Sequence, residues 1–127
     1  MKVISFIRAL FFAALVLALL ACARAGGPAA YGDKVKFAKG QALNFPDFDL
    51  TYKGRRHVAT PKYPRGFDYD DFTVSRGGTS KTVSWSSGTG VIDWADFEFD
   101  GKKFQLELRG SRKFGWLKDN ELVVNKP

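Results

Sequence analysis

The chain of 127 residues contains a single cysteine and a single histidine. One cysteine excludes an intramolecular disulfide and any zinc site built on a pair of nearby cysteines. One histidine excludes a metal site assembled from several imidazoles. The chain also lacks the low hydrophobicity of a disordered protein, because 45% of its residues are hydrophobic. A chain of this length and composition is expected to form one folded domain.

The N-terminal segment has the three parts of a secretory signal peptide. Its first eight residues contain no acid. Lys2 and Arg8 give it a positive start, and an unbroken apolar run follows from Ala9 to Ala23. Alanines at positions 23 and 25 then precede Gly26. A membrane-spanning helix needs about 20 apolar residues, more than this run provides. We therefore predict a signal peptide over residues 1–25, cleavage after Ala25, and a periplasmic or secreted protein.

Cys22 supports a second interpretation of the same segment. The residues Leu19-Leu20-Ala21-Cys22 resemble the lipoprotein box of bacteria, in which the cysteine becomes the acylated first residue, although Leu20 replaces the usual small side chain. Acylation would anchor the domain as a membrane lipoprotein, whereas cleavage after Ala25 would release it. Cleavage after Ala25 also leaves no cysteine in the mature chain. Small domains exported by animal cells are often linked by disulfides, so this composition fits a bacterial envelope better.

Beyond the signal segment, apolar side chains do not recur at helical spacing over any dozen residues. Apolar and polar residues alternate instead over 47–53, 79–85 and 103–109, which indicates antiparallel strands with one face in water. Glycines interrupt these runs at intervals of about ten residues. We predict an all-β fold, a small antiparallel β-sandwich or barrel of about seven to eight short strands. The expected organisation is a flexible leader over residues 26–32 and a single β-domain over residues 33–127.

Two local patterns make this prediction specific. Asp100-Gly101 favours a tight hairpin turn, because both residues tolerate a positive φ. A loop of two or four residues would keep Phe97 and Phe104 on the same face, whereas a loop of three with no compensating bulge would separate them. The parity of the runs assigns four side chains to the core: Trp85, Phe99, Phe104 and Leu106.

The segment 67–74 changes parity in its middle. Phe67 and Tyr69 occupy odd positions, whereas Phe72 and Val74 occupy even ones. A regular strand would bury one pair and expose the other. We therefore predict a β-bulge at Asp70-Asp71, which would restore a single inward face.

A basic segment without acids extends from Lys53 to Arg65. Prolines stiffen it, and long connections of this kind often carry function. Clustered arginines suit carboxylate or phosphate groups, which they bind through paired hydrogen bonds. The alternative is an ordinary solvated strand edge, where cations discourage aggregation. The candidate binding patch, called the basic patch below, comprises Lys53, Arg55, Arg56, His57, Lys62, Tyr63 and Arg65.

The stretch from Ser84 to Gly90 is rich in serine and glycine and indicates a turn between two strands. It contains no GxSxG motif, and no helix is expected after it, so it is neither a nucleophile elbow nor a phosphate loop. Residues 86–90 are similar to the Ser-Gly-rich loop that some bacterial periplasmic lysozyme inhibitors present on a small β-barrel. The likeness is confined to this loop, because the tyrosine and the cysteines usual in that group are missing.

Acids concentrate between Phe67 and Asp100. Asp68, Asp70 and Asp71 could offer oxygen ligands to Ca²⁺, but they lack the ligand spacing and the glycine of an EF-hand loop. Charge pairing between the acidic and basic parts of the chain explains these acids more simply. We therefore predict no metal site and no cofactor.

These observations favour an exported bacterial envelope protein that binds a partner and is not an enzyme. The sequence pairs no nucleophile with a base, and His57 is predicted to be a surface residue. The first hypothesis is a protein-binding or inhibitor-like β-module with an unknown envelope protein as partner. The alternative is a binder of an anionic envelope polymer or lipid headgroup through the basic 53–65 loop. Nucleic acid is not an expected partner, and membrane attachment is expected only if Cys22 is acylated.

Overall fold

The computed structural model describes residues 25–87 and 94–127, and within them it contains eleven β-strands and no helix. The all-β prediction is therefore confirmed. Seven strands have four or more residues, close to the number expected, and the others have two or three. The strands are β1 Ala25–Pro28, β2 Val35–Lys36, β3 Ala42–Asn44, β4 Asp49–Val58, β5 Phe67–Arg76, β6 Thr79–Ser87, β7 Ala95–Phe99, β8 Lys102–Leu108, β9 Gly110–Ser111, β10 Gly115–Trp116 and β11 Glu121–Asn125.

The strands form two main sheets. The first has the order β1-β3-β4-β5-β6, and the second has the order β2-β11-β8-β7. Neighbouring strands are antiparallel except for β1 and β3, which are parallel. Strands β9 and β10 form a separate two-stranded ribbon. In the described ranges no strand pairing joins the two main sheets, so the architecture is an open sandwich and not a closed barrel.

The hydrophobic core lies between these sheets. The four side chains assigned to it from sequence parity are all buried, so that prediction is confirmed. Phe48, in the turn between β3 and β4, lies at its centre, with its ring 4.9 Å from Phe104 and 5.5 Å from Phe97. The core also contains Leu43, Phe45, Leu50, Phe72, Val74, Val83, Leu108, Leu122 and Val124.

The predicted hairpin turn at Asp100-Gly101 is also confirmed. Phe97 lies opposite Phe104, and Phe99 lies opposite Lys102, which leaves a loop of two residues. Asp100 and Gly101 have φ angles of 51° and 72°, the positive values that a type I′ turn requires. The turn therefore fixes the register that brings Phe97 and Phe104 into the core.

The predicted bulge at Asp70-Asp71 is wrong. Strand β5 pairs with β6 without interruption from Asp68 to Arg76. The irregularity lies on the neighbouring strand, where Tyr52 pairs with Phe72 and Gly54 with Asp71, leaving Lys53 as the extra residue. Strand β5 keeps one parity, so Asp70 shares the inward face with Phe72, and its side chain is buried.

Part of the segment predicted as a flexible leader over residues 26–32 pairs with the first sheet and packs on the domain. β1 pairs with β3 at the edge of the first sheet, and the Ala29 N–H donates to the Asn44 carbonyl at 2.9 Å. The Tyr31 ring stacks on Phe45 at 5.6 Å. Glycine, alanine and proline give no alternating pattern, so this pairing, made by the backbone, leaves no signal in the sequence.

Asp47 connects parts of the chain that belong to different sheets. Its carboxylate accepts hydrogen bonds from the Tyr31 hydroxyl and from the Lys102 ammonium group, each at 2.6 Å. The bonds from Lys102 and Tyr31 lower the pKa of Asp47 to about 2. Burial, reinforced by the Asp47 carboxylate, raises the pKa of Tyr31 well above its usual value. The turn after β3 is thereby linked to the start of β8.

Residues 25–87 and 94–127 contain no helix that is long and apolar enough to cross a membrane. The apolar run from Ala9 to Ala23, Cys22 and residues 88–90 of the Ser-Gly-rich stretch lie outside the described residues. The signal peptide, the lipidation of Cys22 and the export of the protein therefore stay predictions.

Candidate binding surface

The basic patch lies on two different elements. Residues 53–58 belong to β4, and residues 59–66 connect β4 to β5. The prediction of one continuous loop over 53–65 is therefore wrong in its first half. This half is a strand because Gly54 to Val58 pair with Asp71 to Phe67. All seven residues of the basic patch are exposed, as a binding patch requires.

Arg55 faces a buried carboxylate. Its Nε lies 3.3 Å from Asp70 Oδ1, and the Tyr52 hydroxyl donates to the same oxygen at 2.8 Å. Asp70 is only 5% exposed, whereas about half of the Arg55 side chain remains in contact with solvent. Burial and the bond to Asp70 raise the pKa of Tyr52 to about 12. Arg55 therefore compensates a charge at the end of the core.

Arg56 lies on the opposite, outer face of the same strand pair. Its Nε donates to Asp71 Oδ2 at 3.0 Å, and the guanidinium group lies 4.7 Å from the centre of the Tyr69 ring. Ser84, on β6, donates its hydroxyl to Asp71 at 2.6 Å. The bonds from Arg56 and Ser84 lower the pKa of Asp71. Arg56 thus belongs to a polar ladder across three strands.

His57 is also paired. Its Nδ1 lies 2.6 Å from Asp68 Oδ1, and both side chains are accessible to solvent. The hydrogen bond to His57 lowers the pKa of Asp68. No serine, threonine or cysteine among the described side chains forms a hydrogen bond to His57. The pair therefore lacks the nucleophile that a catalytic triad would add.

The connection from Ala59 to Gly66 is held in shape by its own backbone. Thr60 and Tyr63 exchange backbone hydrogen bonds at 3.2 and 3.0 Å, and the Gly66 N–H donates to the Tyr63 carbonyl at 2.9 Å. Gly66 has a φ of +70°, and a Cβ there would lie 2.4 Å from the Val58 carbonyl oxygen. Only glycine fits this close return of the chain. The loop is therefore ordered before any partner binds.

Tyr63 is the aromatic side chain at the tip of this loop. It is 48% exposed, and its ring packs edge-on against Phe67 at 5.1 Å. The Lys62 ammonium group lies 5.5 Å from the ring centre. Unlike the two arginines on β4, Lys53, Lys62 and Arg65 form no ion pair with any described residue. The structure thus divides the basic patch into paired side chains on β4 and cations without ion pairs, which are Lys53 on β4 and Lys62 and Arg65 on the loop.

No prediction from sequence covered a second exposed surface, the hairpin of residues 109–118, called the aromatic hairpin below. β9 and β10 form its two strands. Trp116 is 79% exposed and Phe114 is 37% exposed. Four cations and no acid lie between Glu107 and Asp119. That uninterrupted positive charge beside two aromatic residues was the available signal.

The remaining chemistry of the described residues is limited. No group of three or more histidine, cysteine or acidic side chains in the described ranges is arranged to hold a metal. Asp70 and Asp71 lie on opposite faces of β5 and each contacts an arginine. A cavity of about 430 Å³ beside β7 and β8 is lined by residues that include Glu98, Lys103 and Pro127.

No protein family, curated protein or solved structure matches this chain.

Proposed function

We propose that the protein is a non-enzymatic binding module that recognises an acidic protein partner in the cell envelope through the basic patch. The observation that carries this proposal is the ordered loop of residues 59–66. It exposes Tyr63 and keeps Lys62 and Arg65 free of ion pairs within the described structure. The two cations are available to a partner without first breaking an internal ion pair.

The loop has two properties that favour binding. Its internal hydrogen bonds and two prolines reduce the conformational entropy that would be lost on association. Tyr63 offers a large contact area and few rotatable bonds, as tyrosines do in antibody binding sites. A partner with carboxylates around an apolar hollow would complement the Tyr63 ring and the adjacent cations.

A protein partner explains the charge arrangement better than an anionic polymer. Arg55, Arg56 and His57 each contact an aspartate, so acids offset the positive charge in the strand part of the basic patch. A polymer with regularly spaced negative charges binds best to an unbroken positive surface. The polymer alternative therefore depends on Lys53, Lys62 and Arg65 alone.

The experiment is a capture assay from envelope extract with three forms of the protein. These are the wild type, a Lys62→Glu/Arg65→Glu variant, and a Lys103→Glu control whose substitution lies on the β7–β8 hairpin. We expect the wild type and the control to retain the same protein in a stoichiometric complex, and the double variant to lose it. Raising the salt concentration from about 50 to about 300 mM should weaken capture only partly.

Two results would contradict the proposal. Equal capture by all three forms would show that the loop is not the contact. Retention of a polyanion in place of a protein, with complete release at the higher salt concentration, would favour the polymer alternative.

A further inference from the structure

The aromatic hairpin keeps an indole ring in solvent. Leu117, the next residue, is buried, and its N–H donates to the Arg109 carbonyl at 2.9 Å. Successive side chains of an extended segment point in opposite directions. The anchoring of Leu117 therefore turns Trp116 outward, and the hairpin packs on the domain without using the Trp116 ring.

The two arginines of the hairpin face the domain. The guanidinium carbon of Arg112 lies 3.7 Å from the centre of the Trp94 ring. That of Arg109 lies 5.8 Å from the Trp85 ring, and Arg109 adopts a φ of 63° where the chain turns out of β8. These contacts fix the hairpin to the sandwich.

Two lysines lie beside the exposed Phe114 ring instead. The ammonium groups of Lys113 and Lys34 lie 5.2 and 5.6 Å from the centre of the Phe114 ring. Lys118 is exposed, and neither Lys113 nor Lys118 forms an ion pair with the described acids. Lys34 also lies 3.8 Å from the largely buried Glu121. The result is a pair of lysines beside the Phe114 ring, with Lys118 two residues after Trp116 in the chain.

We propose that the aromatic hairpin docks the protein on a membrane surface that contains anionic lipids. A tryptophan ring is stable at the level of the headgroups, because its body is apolar and its N–H is polar. Lysines beside it are attracted to the negative surface potential of the lipids. This docking surface uses none of the residues of the basic patch, so it does not depend on the protein partner proposed above.

The hairpin has donors but almost no acceptors, which distinguishes lipid phosphates from sugars. Sugar hydroxyls both donate and accept hydrogen bonds, so a site for them needs acceptor side chains. Residues 109–118 contain no aspartate, glutamate, asparagine or glutamine. The Ser111 hydroxyl is already engaged, since it accepts from the N–H groups of Lys113 and Phe114 at 3.3 Å. Lipid phosphates accept hydrogen bonds and require only the donors that the hairpin has.

Vesicle binding tests this inference. The full protein, with the N terminus that the producing cell gives it, is mixed with vesicles of phosphatidylcholine or of phosphatidylcholine with phosphatidylglycerol. All variants share that N terminus, so its contribution cancels. The variants are Trp116→Ala, Trp116→Phe and Lys113→Glu, and Lys103→Glu is the control with the same charge change.

We expect the wild type and Lys103→Glu to bind the anionic vesicles more strongly than the neutral ones. Lys113→Glu should reduce partitioning on the order of tenfold, because it removes one attractive charge and adds a repulsive one. Trp116→Ala should cause a similar loss. The tryptophan emission of the wild type should shift to shorter wavelength on binding, and Trp116→Phe should abolish the shift. Thermal unfolding of all variants should match the wild type, because the substituted side chains are exposed.

The inference is overturned if the wild type does not distinguish anionic from neutral vesicles, or if the Trp116 variants bind and shift like the wild type. It is also overturned if Lys103→Glu loses as much binding as Lys113→Glu, because attraction would then be a property of the net charge. A soluble anionic polysaccharide that displaces the protein from the vesicles and blue-shifts the Trp116 emission equally would assign the hairpin to a polymer.

Discussion

Removal of the Arg55 side chain separates a structural role of the basic patch from a binding role. Arg55→Ala leaves the carboxylate of Asp70 without its cation, while the Tyr52 hydroxyl still donates to it. A buried ion pair that loses one partner is destabilised by about 3–5 kcal/mol, whereas a solvent-exposed pair contributes about 0–1 kcal/mol. Asp70 is buried, but Arg55 is half exposed, so water screens the pair. We expect Arg55→Ala to lower the free energy of unfolding by about 1–2 kcal/mol.

The assay is thermal and urea denaturation at neutral pH. A loss of this size should lower the Tm of a domain of about 100 residues by about 5–15 °C. Arg56→Ala is the matched control, because Asp71 is more accessible to solvent than Asp70 and keeps the Ser84 hydroxyl. It should therefore destabilise the protein less. In the double variant Arg55→Ala/Asp70→Asn, part of the loss should be recovered, because the unpaired charge is gone. Equal stability of the two arginine variants would refute the argument that burial of Asp70 decides the cost.

Three further predictions concern the core, the pH dependence and the N terminus. Leu106→Ala should lower the free energy of unfolding by about 2–5 kcal/mol, because the side chain is fully buried, and a loss under about 0.5 kcal/mol in urea denaturation would place it on the wrong face. The lowered pKa of Asp47 stabilises the folded state above the pKa of an unfolded aspartate, and this contribution should be lost as pH falls from about 4 towards about 2. Asp47→Asn should therefore be less stable than the wild type at pH 7, and its melting temperature should depend less on pH over that acid range. Equal pH profiles of the two melting temperatures would contradict the role of the Asp47 ion pairs. Intact-mass analysis of the protein from a producing cell should show a start at Gly26 or an acylated Cys22, and a retained Met1 would contradict both.

The sequence was informative where one side chain reports directly on the fold. The parity of Trp85 and Phe104 identified the core face, and Asp100-Gly101 identified a turn whose two positive φ angles few residue pairs tolerate. The pairing of β1 was not predictable in this way, because it depends on backbone hydrogen bonds between residues without a side-chain pattern. The bulge was displaced to Lys53 because its position depends on which strand can bend over the shared core, and that is a tertiary property.

The candidate surfaces were only partly accessible for the same reason. Charge composition located the basic patch, but it could not show that Arg56 reaches Asp71 as well as the directly opposite Tyr69. That contact depends on the strand register, which the bulge alters. Trp116 was missed because a tryptophan between two cations is equally compatible with a buried or an exposed position. The anchoring of Leu117 in the domain is what leaves the neighbouring Trp116 side chain in water.

The place of β11 in the second sheet determines when the protein can fold. This strand lies between β2 and β8, so two strands that are far apart in the chain meet only through it. Leu122 and Val124 fill the core from β11 and are completely buried. The strand pairing of the second sheet therefore cannot be completed until residues 121–125 have been synthesised. A chain that is exported as predicted would stay unfolded for as long as a translocation channel requires, and it would then have to form its most distant pairings last and slowly.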